Sequence, residues 1–74
     1  MKLSKVLVGH MVIVKNIQSN ESLKRRFYSF GIVKGATIKI EAISMAKNTL
    51  EINVDDTLIA IRVEEANTIE VDEI

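Results

Sequence analysis

The stretch LKRRFYSFGIVKG, residues 23–35, predicts one short amphipathic helix that stops at a glycine. Leu23, Phe27 and Phe30 recur at i, i+4 and i+7, so they share one helical face. Gly31 follows directly, and glycine closes a helix in the left-handed conformation without a Cβ clash. Ile32 would then pack back onto Phe27. We therefore expect a helix at about residues 21–30.

The segments around this helix alternate between apolar and polar residues, as β-strands do. Thr49–Val54 is the clearest example, because it places Leu50, Ile52 and Val54 on one face. Ser19 and Asn20 follow the first strand and supply capping oxygens for the N-terminus of the helix. The predicted strands are Met11–Ile17, residues 37–42, 49–54 and 57–63, and a closing strand with Ile69 and Val71.

The connections between strands have turn chemistry. A glycine at the third position of the Val33–Ala36 turn suits positive φ, and Asp55-Asp56 forms a tight two-residue hairpin connection. Glu64–Ala66 is expected to be a short turn. The strand at 57–63 is apolar on both faces, which predicts a central strand with Leu58 and Ala60 covered by the helix or by a neighbouring strand.

Five short strands in 74 residues are too few for two packed sheets of ordinary size. Curling into a small barrel buries one face and removes exposed edges. The sequence therefore predicts a mainly β fold, a small five-stranded SH3-like β-barrel with one inserted α-helix that covers an open end or side. Residues 1–74 are expected to form a single domain.

Composition excludes several function classes. The chain has no cysteine, so a disulfide or a thiolate metal site is impossible. Ten basic and ten acidic residues cancel, whereas a domain that grips nucleic acid usually carries a basic excess. The apolar run from Val6 to Val14 is interrupted by Gly9 and is far shorter than the roughly 20 residues of a membrane span. We expect an unprocessed cytoplasmic protein that does not bind nucleic acid.

The residues that could carry chemistry are few. His10 is the only histidine, and its place beside Gly9 indicates a solvent-facing turn. Asp55 and Asp56 are adjacent, but a hard metal ion wants three or more convergent ligands. Gly31 and Gly35 follow the helix rather than precede it, which is the wrong polarity for phosphate binding. We expect no catalytic residue, no metal site and no cofactor, and hence no enzyme activity.

The outward face of the helix is the remaining candidate site. One interpretation is structural: Leu23, Phe27 and Phe30 plug the barrel, and the charged face is simply solvated. The other is a docking face for a protein partner, since Arg and Tyr are enriched at interface hot spots. The candidate partner-binding residues are Arg25, Arg26, Tyr28 and Lys34.

Two sequence blocks resemble the FeoA family over almost the whole chain. The first runs from Leu3, Leu7 and Gly9 through a helix with Leu23, Arg26 and Phe27 to Phe30-Gly31-Ile32 and Gly35. The second is the strand Leu58–Arg62 followed by Glu65-Ala66 and Ile69. Members often have a proline where Lys34 stands, an Asp-Pro in the central hairpin where Ala46–Asn48 stands, and a glycine near Asp55-Asp56. These departures lie in turns.

The resemblance implies a small cytoplasmic SH3-like domain without enzyme activity. It implies an accessory or regulatory role in ferrous iron uptake, through the cytosolic GTP-binding portion of a FeoB-type transporter, with membrane contact only through that partner. Two alternatives of other classes stay open. One is a divalent-metal sensor or chaperone acting through His10 and surface carboxylates, and the other is a small RNA-binding barrel.

Overall fold

The computed structural model describes residues 1–74 and contains five strands and two helices. A short 3-10 turn at Leu3–Lys5 precedes the first strand. The elements are β1 (Met11–Ile17), α1 (Glu21–Ser29), β2 (Thr37–Ile43), β3 (Thr49–Val54), β4 (Thr57–Arg62), α2 (Val63–Ala66) and β5 (Ile69–Glu73). The five predicted strands are thus confirmed, and the inserted helix lies where the sequence predicts it.

All five strands form one antiparallel sheet in the order β4-β3-β2-β1-β5. The connection between β3 and β4 is the predicted two-residue turn, with Asp55 at φ 51° and Asp56 at φ 65°. Both values match a type I′ hairpin, the turn whose twist suits paired strands. The register between β2 and β3 shifts between Ile40 and Ala42. Ala42 is therefore only half-buried, although simple alternation predicts it on the core face with Ile38 and Ile40.

One apolar cluster fills the space enclosed by the sheet, the helices and the 3-10 turn. The strands supply most of it through alternate residues, and β3 buries Leu50, Ile52 and Val54 as predicted. The cluster's 17 buried residues are Leu3, Val6, Val12, Val14, Ile17, Phe27, Ile32, Ile38, Ile40, Leu50, Ile52, Val54, Ile59, Ile61, Ala66, Ile69 and Val71.

Both ends of α1 are capped within the chain. The Asn20 side chain accepts a hydrogen bond from the Leu23 N–H at 2.9 Å, which satisfies one of the free donors of the first turn. At the other end Gly31 has φ +85°. The Gly31 N–H donates to the Tyr28 carbonyl at 3.0 Å, and the Ile32 N–H donates to the Phe27 carbonyl at 2.9 Å. These two bonds are a complete Schellman motif.

Phe30 departs from its predicted place in the core, since its side chain is 38% exposed. It caps α1 just beyond the last helical residue, and the chain then reverses at Gly31. The reversal brings Ile32 into the core instead, where it is fully buried. Of the three predicted core residues of the helix, Phe27 is fully buried and Leu23 packs against the core in a partly buried position.

The prediction that β4 is a central strand is wrong. β4 is an edge strand, bonded to β3 alone, and Leu58 and Ala60 face solvent. No hydrogen bonds join β4 to β5, so the sheet is not closed and the outer edge of β4 stays unpaired. The predicted turn at Glu64–Ala66 is the four-residue helix α2, which buries Ala66. No helix of this protein has the length and apolar character that crossing a bilayer requires.

Candidate partner-docking surface

The end of α1 and the turn after it present polar and apolar side chains to solvent from one continuous segment. Tyr28 is 50% exposed, and Arg25 and Lys34 are exposed as well. Phe30 and Val33 add exposed apolar area between them. We call Arg25, Tyr28, Phe30, Val33 and Lys34 the helix–turn surface. Three of its five residues are ones that the sequence singles out, and Phe30 joins them because it is outside the core.

Backbone hydrogen bonds hold the turn of this surface in place. The Ala36 N–H donates to the Val33 carbonyl at 2.9 Å, and Gly35, with φ +90°, occupies the predicted third position. The Gly35 N–H also donates to the Val14 carbonyl in β1 at 2.8 Å. Lys34 is thus presented from an ordered turn tied to the sheet.

The positive charges of the helix–turn surface are unpaired within the chain. Neither Arg25 nor Lys34 has a carboxylate within 4.0 Å. An exposed cation without an internal partner remains available for an acidic group of another molecule. The surface therefore combines two free cations with a half-exposed tyrosine and exposed apolar neighbours.

Arg26 is different from the other three predicted residues, because it already has a partner. Its guanidinium donates to Glu65 Oε2 at 2.7 Å and so joins α1 to α2. Glu65 Oε1 accepts the backbone N–H of Arg62 at 2.9 Å, as the N3 glutamate of a capping box does at the start of a helix. Burial raises the pKa of the Glu65 carboxyl, but the hydrogen bonds from Arg62 and Arg26 and their positive charges outweigh it, so the pKa lies below its ordinary value. Arg26 holds the two helices together.

A second exposed apolar surface lies at the N-terminal turn, and the sequence reasoning missed it. Leu7 is 67% exposed and Val8 is about as exposed as Tyr28. The Gly9 N–H donates to the Ile40 carbonyl at 2.7 Å, which fixes this turn against β2. Met11 is also exposed, and the Ile74 N–H donates to its carbonyl at 3.3 Å. We call Leu7, Val8, Met11 and Ile74 the N-terminal surface; the unbroken run of apolar residues at 6–8 was its only sequence signal.

The structure does not assemble a set of metal ligands. His10 Nδ1 lies 3.9 Å from Glu73 Oε1, and no group of three or more His, Cys, Asp or Glu side chains is placed to hold a metal ion. Glu70 is engaged by the N-terminal ammonium at 3.0 Å, a hydrogen bond that lowers the pKa of its carboxyl. His10 and the C-terminal carboxylates therefore form pairs rather than a coordination sphere.

The larger of two clefts is open and polar. It has a volume of about 420 Å³ and lies on the outer face of β1, β2 and β3, where Met11 is its only hydrophobic lining residue. Small-molecule sites are usually enclosed and mostly apolar with a few placed polar groups. This cleft has neither property, so the exposed side chains of the two surfaces are the better candidates for function.

Comparison with known proteins identifies the family. The model of the FeoA domain matches residues 1–73. A protein of Campylobacter jejuni named Fe(2+) transport protein A is 32% identical over 71 residues, which is 96% of each chain. A protein of Helicobacter pylori with the same name is 41% identical over 54 residues, which is 73% of this chain and 69% of that one.

Solved structures agree with the sequence matches. The FeoA protein of Chlorobium tepidum superposes with a TM-score of 0.94 at 29% identity, and the superposition covers 99% of this chain and 70% of that protein. The zinc complex of Stenotrophomonas maltophilia FeoA, described as a prokaryotic SH3 domain protein, has a TM-score of 0.85 at 29% identity and covers 97% and 89%. A manganese-dependent transcriptional repressor shares the fold alone, at 18% identity over 36% of its length. The mainly β, SH3-like fold predicted from the sequence is confirmed, and the chain belongs to the FeoA family.

Proposed function

We propose that this protein is a non-enzymatic accessory of ferrous iron transport that binds the cytosolic GTP-binding part of a FeoB-type transporter. The observation that carries the proposal is family membership over residues 1–73, together with relatives named for Fe(2+) transport. The protein would act on the cytosolic side and reach the membrane only through that partner.

Two features of the molecule support a binding role over a catalytic one. Catalysis needs a nucleophile and a base, or paired acids, that converge in a cleft. His10 is exposed and faces Glu73 at 3.9 Å, and the 420 Å³ cleft holds no histidine. The exposed residues of the helix–turn surface and the N-terminal surface instead lie outside a core that apolar side chains fill.

We assign the contact to the helix–turn surface. Tyr28 offers a ring and a hydroxyl on a capped helix, which costs little conformational entropy on binding. Arg25 precedes it and Lys34 follows it in the sequence, both with unpaired positive charge, so the partner surface would be acidic. Arg26 contributes by keeping α1 on α2 through Glu65 rather than by touching the partner.

Binding of the purified chain to the soluble GTP-binding domain of a FeoB-type transporter, measured by calorimetric titration, tests this assignment. Arg25→Glu and Tyr28→Ala should each weaken binding by about tenfold or more, as hot-spot substitutions do. Lys15→Glu is the matched control, because it reverses one exposed charge on β1, outside the helix–turn surface. It should leave the affinity unchanged.

The outcomes separate the role from the surface. Unchanged binding by both Arg25→Glu and Tyr28→Ala would reject the helix–turn surface. A loss confined to Leu7→Ser and Val8→Ser would move the contact to the N-terminal surface. If the wild-type chain failed to bind at concentrations on the order of 1 mM, with and without guanine nucleotide, the proposed function itself would be wrong.

A further inference from the structure

The outer edge of β4 is a regular strand edge without the usual protection. β4 pairs with β3 through six consecutive residue pairs with no register shift, from Thr57 to Arg62, whereas the pairings of β1 with β5 and of β2 with β3 both shift. Edge strands are normally blunted by bulges, prolines or charged residues. The five residues from Thr57 to Ile61 are uncharged, and Leu58 is 60% exposed. This edge is open to a further strand.

The geometry of the hairpin identifies the free backbone groups. In a two-residue hairpin the residues that flank the turn, Val54 and Thr57, form a hydrogen-bonded pair. Alternation then directs Ile59 and Ile61 toward β3 and directs the N–H and C=O groups of Leu58 and Ala60 outward. The next outward donor is the N–H of Arg62, which bonds to Glu65 Oε1 at 2.9 Å. Two donors and two acceptors, on Leu58 and Ala60, remain free.

The opposite edge of the sheet is already covered. The N-terminal ammonium donates to the Val71 carbonyl at 3.0 Å, and the Val71 N–H donates to the Met1 carbonyl at 2.8 Å. Lys2 and Glu70 form an isolated antiparallel β-bridge. A head-to-tail array would have to pair β4 of one copy with the outer edge of β5 of the next, but Met1 and Lys2 already cover that edge. A closed pair must instead use β4 twice.

We propose that two copies of this chain associate through antiparallel pairing of their β4 strands across a two-fold axis at Ile59. In that register Leu58 lies opposite Ala60 of the second copy, and Ala60 lies opposite its Leu58. Both are hydrogen-bonded pairs, so the two free donors and two free acceptors of each copy form four hydrogen bonds. A two-fold axis at Ala60 would instead need the Arg62 N–H, which Glu65 already holds.

Side chains on the outer face fit the same register. The long, exposed Leu58 would cover the small Ala60 of the other copy on each side of the axis, and this removes apolar area from water. The register also places Asp56 opposite Arg62 of the second copy, twice by symmetry. The Arg62 side chain can reach this position, since it is 73% exposed and its one ion pair, with Glu64, is long at 4.0 Å. With a formal net charge of zero, two copies approach without net repulsion.

This pairing accounts for the pattern that made β4 look like a central strand. In the monomer only the face with Ile59 and Ile61 is buried. In the pair β4 becomes an inner strand, and Leu58 and Ala60 on its other face cover each other across the axis. The contact is small, below the range of about 1,200 Å² that stable interfaces bury, so we expect a dissociation constant on the order of 0.1 mM.

Sedimentation velocity over a concentration series tests the pairing. The wild-type chain should show a concentration-dependent dimer, and Asp56→Lys or Arg62→Asp alone should weaken it by about tenfold, since each creates two like-charged pairs. The double variant carrying both substitutions restores opposite charges in this register and should recover wild-type association. Asp55→Lys is the control, because it makes the same change at the other turn residue, which lies opposite the uncharged Val63 of the second copy in this register.

Each remaining outcome overturns the proposal. A chain that stays monomeric at concentrations on the order of 1 mM rejects it, and would leave this edge for an extended segment of another protein. A dimer whose single variants are weakened but whose double variant is not rescued rejects the register. A dimer that ignores all of these changes uses another face. Thermal melts of each variant would show that the monomer fold is retained.

Discussion

At the scale of single residues, the conformation of Gly31 decides which of its two neighbours enters the core. Its φ of +85° ends α1 and turns the chain so that Ile32 enters the core while Phe30 stays outside. An added Cβ would meet Val54 Cγ1 at 3.7 Å and Asp55 Oδ2 at 3.9 Å, which are ordinary contacts. The need for glycine at this position therefore comes from the backbone conformation and not from crowding.

Replacing Gly31 with alanine should lower the free energy of unfolding by about 1 kcal/mol, because a Cβ disfavours positive φ. Gly31→Asn should cost less, since asparagine tolerates the left-handed region. Chemical denaturation of the two variants measures the difference. Equal stability of wild type and Gly31→Ala would show that the helix does not need this left-handed residue.

At the scale of elements, α1 is anchored to the core mainly by one side chain. Phe27 is fully buried, Leu23 is partly buried and Phe30 is exposed. An alternating strand buries every second residue, but this nine-residue helix buries one. The attachment of the helix, and with it the position of the helix–turn surface, depends on Phe27 and on the ion pair of Arg26 with Glu65.

The two phenylalanines of this segment give a matched pair of variants. Phe27→Ala should destabilise the protein by about 3–5 kcal/mol, as truncation of a buried aromatic residue does. Phe30→Ala should cost less than about 1 kcal/mol, because Phe30 is 38% exposed and lies outside the buried cluster. Denaturant titration monitored by circular dichroism compares them. Similar losses for both would mean that Phe30 carries core packing after all.

Alternation and turn chemistry predict the strands well because both are local. Leu50, Ile52 and Val54 face the core as the period of two requires, and Asp55-Asp56 forms the predicted two-residue turn. α2 was missed because four residues are too few to show a helical period. The edge position of β4 was missed because the alternation of residues within one strand does not show how many other strands pair with it.

At the scale of the whole molecule, ion pairs between distant residues tie its parts together. Arg26 and Glu65 are 39 residues apart, and Glu70 holds the N-terminus against β5. Such pairs cannot be read from local patterns, which is why Arg26 was predicted as a docking residue together with Arg25. The exposure of Arg25 and Tyr28 follows from the helix periodicity and that of Lys34 from its place in a turn, but neither pattern encodes the identity of a partner.

These ion pairs make the stability of the protein depend on pH. The pKa values of Glu65 and Glu70 are both lowered in the folded state, so the unfolded chain binds protons more readily at these sites. Their contribution is therefore present above the ordinary glutamate pKa of about 4.3 and is lost as pH falls through the lowered values. Unfolding free energies measured from neutral to acidic pH should decline over that interval.

Glu65→Gln isolates the part of this decline that belongs to the link between the helices. Only 16% of the Glu65 side chain is exposed, and its two oxygens serve Arg62 and Arg26, so the neutral amide cannot serve both equally. We expect a loss of about 1 kcal/mol at neutral pH and a shallower decline in acid. Glu64→Gln is the control, since Glu64 is 76% exposed beside Arg62 and its change should alter neither quantity. If Glu65→Gln left the acid slope as steep as in the wild type, the Arg26–Glu65 pair would not be what couples this fold to pH.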